Sequence, residues 1–173
     1  GATLKKDYPQ VEQFVRLYTS DGSKSIKKGK EYIVENRVGY ADSTLFDVFT
    51  LPAIAGDTKT ALDDPNTVVI SESAARKYFG TTDAVGKTLE VGVSDKTLYK
   101  VTAVIQDIPT NSHFNFDFIF SMDNVRYDFG SYLSNNFYTY ILLREGTDYK
   151  VFEKKMDEVL VRYVLPQAKQ YMQ

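Results

Sequence analysis

The sequence predicts a sheet-rich domain carrying a few helices, and three observations lead there. Short segments alternate side chains at period two, at Val11–Tyr18 and again at His113–Phe120, as half-buried strands do. Aromatic residues are plentiful but selective, with 13 Tyr and 11 Phe and no Trp, a composition that suits cross-strand packing on sheet surfaces. The strongest helical signals are confined to Ser71–Gly80 and to the stretch that follows Glu145.

Taken in order, residues 3–8 read as the end of a helix stopped by Tyr8-Pro9, because the residue before proline avoids the helical region. Val11, Gln13, Val15 and Leu17 then share one side of a strand, and Glu12, Phe14, Arg16 and Tyr18 the other. Asp21-Gly22 signals a turn. A short strand and second turn are expected over Lys24–Lys30, and Tyr32-Ile33-Val34 reopens a strand towards Gly39, so the opening reads as a hairpin or meander. Asp42 or Ser43 is expected to cap a helical turn that buries Leu45, Phe46 and Phe49. Leu51–Asp57 is a short apolar segment, Asp63-Asp64-Pro65-Asn66 a turn, and Thr67–Ile70 a buried β-branched strand. Ser71 caps the next helix, Glu72 suits its positive end, Arg76 and Lys77 its negative end, and Gly80 its left-handed stop. Asp83–Lys87 is a turn, and Thr88–Val93 and Leu98–Ile108 are strands. Phe114, Phe116, Phe118 and Phe120 are expected on one face of a single strand, with His113, Asn115 and Asp117 opposite. Residues 123–136 read as a short helix plus a loop, and Phe137–Leu143 as a strand. In the last helix Phe152, Met156, Val159, Leu160 and Tyr163 fall on one face, Pro166 interrupts or ends it, and Val164-Leu165 lead into a tail that can begin another helix.

Composition removes several function classes. The 173 residues carry no cysteine, which excludes disulfides, thiolate nucleophiles and cysteine zinc sites, and one histidine, which excludes multi-histidine metal sites. A net charge of -2 argues against nucleic-acid binding. No apolar run approaches the ~20 residues of a membrane span, and no signal peptide is visible. The chain opens Gly1-Ala2 without methionine and reads as a piece of a longer protein.

Catalytic motifs fare no better. Val85-Gly86-Lys87-Thr88 ends like a phosphate loop, but position 81 is Thr where the Walker spacing needs Gly. There is no G-x-S-x-G elbow, so Ser71 and Ser73 are better spent on the helix start. Asp107 and Asp117 flank the turn before His113 and could suggest a His-Asp-Asp metal site, yet they are expected to satisfy backbone groups instead. Asp63-Asp64 and Asp42…Asp47 lack calcium-loop spacing. His113 is expected to be structural. The four lysines from Lys24 to Lys30 suit a solvated hairpin tip or, alternatively, an anionic partner.

The order of motifs is more informative. Phe46-Asp47-Val48-Phe49, Gly56-Asp57, Ala61-Leu62 and Pro65–Glu72 are followed by Ala75–Gly80, Val85-Gly86-Lys87-Thr88-Leu89, Tyr99–Ile105 and Asp107-Ile108-Pro109-Thr110-Asn111-Ser112-His113-Phe114. Phe137–Tyr140 and Glu145-Gly146-Thr147-Asp148 continue the series. This succession resembles the MacB-like periplasmic core domain of FtsX-like ABC transporter permeases, in the version common in Bacteroidetes. It departs at Ala103, where that family usually has glycine, and it stops near Gln173, before the family's next transmembrane helix. The resemblance implies an α+β fold. A porter-like α/β lobe is formed by both chain ends, residues 1–47 and 112–173, and a smaller, mostly β lobe is inserted as 48–111. It further implies a non-catalytic periplasmic domain of an inner-membrane protein, without cofactor or metal, that transmits ATP-driven motion in export or lipoprotein release. Its implied partners are the permease membrane helices, a second permease copy, a cytoplasmic ABC ATPase acting through the parent, and a periplasmic adaptor; no nucleic acid is implied. It carries over no catalytic or partner-binding residue. The isolated domain is expected to be monomeric. The competing reading is a stand-alone extracytoplasmic ligand-binding or sensor module that uses its aromatics.

Overall fold

The structure is a computed structural model and describes residues 1–19, 22–133 and 135–172. Its strands are β1 (Val11–Tyr18), β2 (Lys24–Lys28), β3 (Glu31–Glu35), β4 (Val38–Ala41), β5 (Ala53–Gly56), β6 (Thr67–Ser71), β7 (Thr88–Val91), β8 (Thr97–Ile105), β9 (Phe118–Ser121) and β10 (Phe137–Leu143). All join one mixed sheet in the order β10-β1-β4-β9-β6-β8-β7-β2-β3, with β5 paired to β8 beside that path. The helices are α1 (Ala2–Asp7), α2 (Leu45–Val48), α3 (Glu72–Phe79), α4 (Tyr149–Glu153), α5 (Met156–Val159) and α6 (Leu165–Tyr171), with a π-helical turn over Leu160–Val164. This is the α+β architecture expected.

Both sheet faces are covered, and the period-two rule shows how. Along β6, Val68 and Ile70 join one cluster with Val101, Phe118, Phe120 and the α3 residues Ala74 and Ala75. Val69 points the other way, to Leu17, Leu45, Ala103, Ile105, Phe116 and Ile119. Burial on both faces explains why β6 is a continuous apolar run. A third, smaller cluster of Tyr8, Val11 and Phe152 seals the β1–β10 end. The alanine at 103 lies opposite Gly56 in the β5–β8 ladder. A Cβ on Gly56 would come within 2.3 Å of the Thr102 carbonyl, so the small residue that this tight crossing demands is Gly56, at φ +89°.

α3 forms as its sequence dictates. The Ser71 hydroxyl accepts from the Ala74 amide at 3.1 Å, Glu72 and Arg76 pair at 2.8 Å, and Gly80 stops the helix at φ 72°.

Several expectations need correction. β1 does not form a hairpin with β2; it lies between β10 and β4, and the hairpin is β2–β3, closed by Gly29-Lys30 at the other end of the sheet. Of the Asp21-Gly22 turn, Asp21 lies outside the described residues, as does Ser134 in the 123–136 loop. The strand expected to run from Tyr32 to Gly39 breaks after Glu35. There the Arg37 carbonyl accepts the Asp117 amide at 2.7 Å, which sends the chain into β4 beside β9. α2 starts at Leu45 after Thr44, whose hydroxyl donates to the Phe14 carbonyl, and neither Asp42 nor Ser43 caps it. Asp42 is held instead by the Arg16 guanidinium, with Nη2 at 2.7 Å and Nε at 2.9 Å.

The strand expected over His113–Phe120 is short, since only Phe118–Ser121 is extended in the ladder. The four phenylalanines therefore do not share a face. Phe118 and Phe120 enter one cluster, and Phe114 and Phe116 the opposite one. The Phe116 ring occupies the space over Gly39, where a Cβ would come within 2.7 Å of it. In the last helix Phe152 is buried and Met156 and Val159 pack at the rim of the third cluster, but Leu160 is exposed. Pro166 does not end the helix. It interrupts it: the π turn before it accommodates the missing amide, and Pro166 sits in the first turn of α6, which begins at Leu165.

Candidate functional site

The hydroxyls and carboxylates singled out for chemistry converge on the N-terminal end of α3, and each is already engaged. Ser71 Oγ donates to Asp117 Oδ1 at 2.7 Å while accepting from Ala74 N. The Ser73 amide and hydroxyl both donate to Asp107, at 2.9 and 2.5 Å. Arg37 Nε sits 3.4 Å from Asp117 Oδ2, and its Nη2 donates to Asn115. Burial pushes the Asp107 carboxyl up, but the Ser73 hydrogen bonds and the nearby Arg37 outweigh it and hold Asp107 below the usual carboxylate range. The arrangement clamps the segment around Asp107–Asp117 onto a helix start that favours negative charge. Both serine hydroxyls are thereby committed to carboxylates at the helix start, and His113 is not among their partners.

His113 lies elsewhere. It is exposed and stacks on Tyr140 of β10, with ring centres 6.5 Å apart. Because residues 113–117 are not a strand, His113 is not segregated from Phe114 and Phe116 as the alternation suggested. All three, with Asn115, line a groove of about 570 Å³ closed by Leu17, Thr19, Tyr138 and Tyr140. Its wall is an aromatic chain: Phe114 stacks on Phe116 at 5.5 Å, and Phe49 meets Phe114 at 5.1 Å and Tyr140 at 4.9 Å. Tyr138 stands 64% exposed at the mouth. The groove joins an aromatic floor to polar groups from Asn115, His113 and two tyrosines, which suits an amphipathic guest.

The lysines of the β2–β3 hairpin are partly spoken for. Lys27 pairs with Glu90 at 3.2 Å, and Lys24 lies over the Tyr40 ring at 5.3 Å. The Tyr32 hydroxyl donates to the same Glu90, and these contacts hold Glu90 below the usual range. Gly29 and Lys30 form the tip, as expected of a solvated turn.

The feature that sequence reading missed is the pole where the two ends of the chain meet. Tyr8, just after α1, packs edge-on to Phe152 of α4 at 5.8 Å. Asp7 accepts from the Tyr163 hydroxyl and lies 3.4 Å from Arg162. Tyr163 stacks on Tyr132 at 5.3 Å, and Thr3 hydrogen-bonds Tyr132 at 2.5 Å. The Asp7 bond raises the Tyr163 phenol above its ordinary pKa. Nothing in the local sequence around Asp7 signals a partner 156 residues away.

Among the described residues no helix is long and apolar enough to cross a membrane, and no group of three or more His, Asp or Glu gathers as a metal site. No curated protein matches the chain. Among solved structures, the chain is similar to a permease-protein domain from Porphyromonas gingivalis at 25% identity and TM-score 0.78, over 94% of this chain and 75% of that one. It is similar to the periplasmic region of MacB from Actinobacillus actinomycetemcomitans at 18% identity and TM-score 0.67, over 92% and 70%. The extracellular domain of the noncanonic ABC-type transporter YknZ from Gram-positive bacteria shares the fold at 19% identity and TM-score 0.56, over 82% and 70%. The model of the MacB-like periplasmic core domain matches residues 1–159, and the chain belongs to that family.

Proposed function

We propose that this chain is the non-catalytic extracytoplasmic domain of an ABC transporter permease, and that it carries ATP-driven movement of the parent's membrane helices to a substrate or partner held outside the membrane. The observation that carries the reading is the interlocked pole. A domain placed between two membrane helices receives motion at its two ends, and here the end elements are joined through Asp7–Tyr163, Asp7–Arg162 and Tyr8–Phe152. β1 follows α1 directly and pairs along its length with β10, which leads into α4. Displacement of either end therefore reaches the sheet through packed, hydrogen-bonded elements. The aromatic groove lies on this same β1–β10 edge, and its position supports assigning it, within this proposal, as the contact place for a substrate or a periplasmic adaptor.

The two-lobe division belongs to this proposal. β10, β1, β4 and β9 come from residues 1–47 and 112–173, and β5 to β8 from 48–111. The β2–β3 hairpin joins the inserted side through Ile26–Val91 and Glu90. The β9–β6 ladder is the seam about which the lobes would flex. The second permease copy and the cytoplasmic ATPase enter through the parent protein.

In the full-length permease with its ATPase, Asp7→Asn combined with Tyr163→Phe should leave ATP hydrolysis running while transport falls. Unchanged transport in a folded double variant would remove the pole from the mechanism. The groove also supports the sensor-module reading, and membrane topology of the full gene product separates the two: spans flanking residues 1 and 173 favour the permease, and their absence the sensor.

A further inference from the structure

We propose that the outward face of the C-terminal helix, from the π turn through α6, lies on an anionic lipid surface. The helix carries polar contacts on its inner side and bare apolar side chains on its outer side. Its polar and tyrosine side faces the protein: Tyr163 donates to Asp7, and Gln167 accepts from the Tyr132 amide at 2.6 Å and donates to the Gly130 carbonyl at 3.1 Å. Another side faces away, with Val161 64% and Leu165 49% exposed, Leu160 51% exposed at its margin and Met172 bare at the end, while Val164 and Ala168 turn inward and are half-buried. A helix that only stabilised the fold would need no second apolar stripe on its outer side, beyond the one that Val164 and Ala168 turn inward.

Charge selects the occupant. From Leu160 to Met172 the chain holds Arg162 and Lys169 and no acidic residue. Arg162 is 68% exposed even though Asp7 lies 3.4 Å from it. Aliphatic side chains flanked by long basic ones, with a tyrosine at the end, are what an interfacial helix needs: the aliphatics enter the acyl boundary, the basic heads reach phosphates, and the phenol sits at headgroup level. A second copy of this chain is the poorer fit. A two-fold contact through this face would set Arg162 and Lys169 near their own copies with no carboxylate on the helix face to offset them. The inference goes beyond the transport reading, and its test involves no transporter, so its failure leaves that reading standing.

The test is flotation of the purified chain with vesicles of phosphatidylglycerol and phosphatidylethanolamine, against vesicles of phosphatidylcholine alone. The chain should float with the anionic vesicles, less so as salt rises, and not with phosphatidylcholine. Arg162→Gln with Lys169→Gln should weaken binding roughly 25-fold, since each basic residue near an anionic surface contributes about fivefold. Val161→Ser with Leu165→Ser should also abolish flotation. Val161→Ser with Leu165→Ser keeps the wild-type melting temperature, because those side chains are exposed, while Arg162→Gln also loses its ion pair to Asp7 and lowers that temperature only slightly. No flotation of the wild type, equal flotation on both lipids, or indifference to either double variant overturns the proposal. So does a dimer in sedimentation that Val161→Ser with Leu165→Ser dissolves, because the face would then be covered by a second copy.

Discussion

Phe152→Ala is the perturbation that weighs the pole most directly in the isolated chain. Phe152 is 7% exposed and, with Tyr8 and Val11, forms a cluster separate from the two that cover the sheet. Truncating a buried phenylalanine costs about 3–5 kcal/mol. Here the surrounding Leu4, Ile141, Leu143, Met156 and Val159 are only half-buried, so water reaches the vacated space and the lower end, about 3 kcal/mol, applies. Because the cluster is a satellite, the loss should appear as local opening of α4 to α6 rather than as unfolding of the sheet. A cost of about 3 kcal/mol corresponds to roughly 100-fold faster amide exchange in those helices. Hydrogen exchange read by mass spectrometry should show it over residues 149–172, with β6 and β8 unchanged. Equal acceleration in β6, β8 and the helices would mean that the pole is not a separate unit. Acceleration below tenfold would mean that Phe152 does not hold the helix down.

Other expectations follow from single sites. Gly80→Ala should cost about 1 kcal/mol in urea unfolding, all of it conformational, because nothing lies within 4 Å of the added Cβ. Gly56→Ala should cost clearly more, since its Cβ would strike the Thr102 carbonyl and the Ala103 Cα at 2.3 and 2.8 Å. A carboxyl held low in the folded state adds stability above its unfolded pKa of about 3.9, and that stability is lost as pH falls through the folded value. Asp107→Asn should therefore flatten the stability profile of the chain at and below that pH and lower the plateau above it; a profile parallel to wild type would contradict the Ser73 clamp. Isothermal titration with ATP should show no saturable binding, because the glycine needed at position 81 is Thr.

Much of the fold was legible where one residue type has one physical use. Ser71, Glu72 and Gly80 delimit α3 because capping and left-handed geometry leave few alternatives. Gly29-Lys30 and Asp63–Asn66 mark turns for similar reasons. Strand order was not legible, since β1 and β2 are neighbours in sequence yet lie near opposite ends of the sheet, and only tertiary packing decides that. The phenylalanine series misled because both faces of β9 are buried. With apolar side chains wanted on each side, alternation no longer reports a single face, and a backbone break at Asp117 exchanges the faces of Phe114 and Phe116. A signal was present in Gly39, a glycine inside a strand that leaves room for a ring. Of the candidate site, the aromatics were visible as a composition but the groove was not, because Tyr138, Tyr140 and His113 meet only through the β1–β10 pairing and the loop after Pro109.

The central claim is that ATP-driven motion passes through this domain, and because these 173 residues hold no cysteine, one label placed here tests it once any cysteines elsewhere in the parent are replaced. In the reconstituted full-length permease with its ATPase, a spin label on Tyr138→Cys reports the distance between the two copies of the domain. The account predicts that this distance shifts between the nucleotide-free and ATP-trapped states, and that Phe152→Ala reduces the shift while ATP hydrolysis continues. An unchanged distance in a permease that still transports would contradict it.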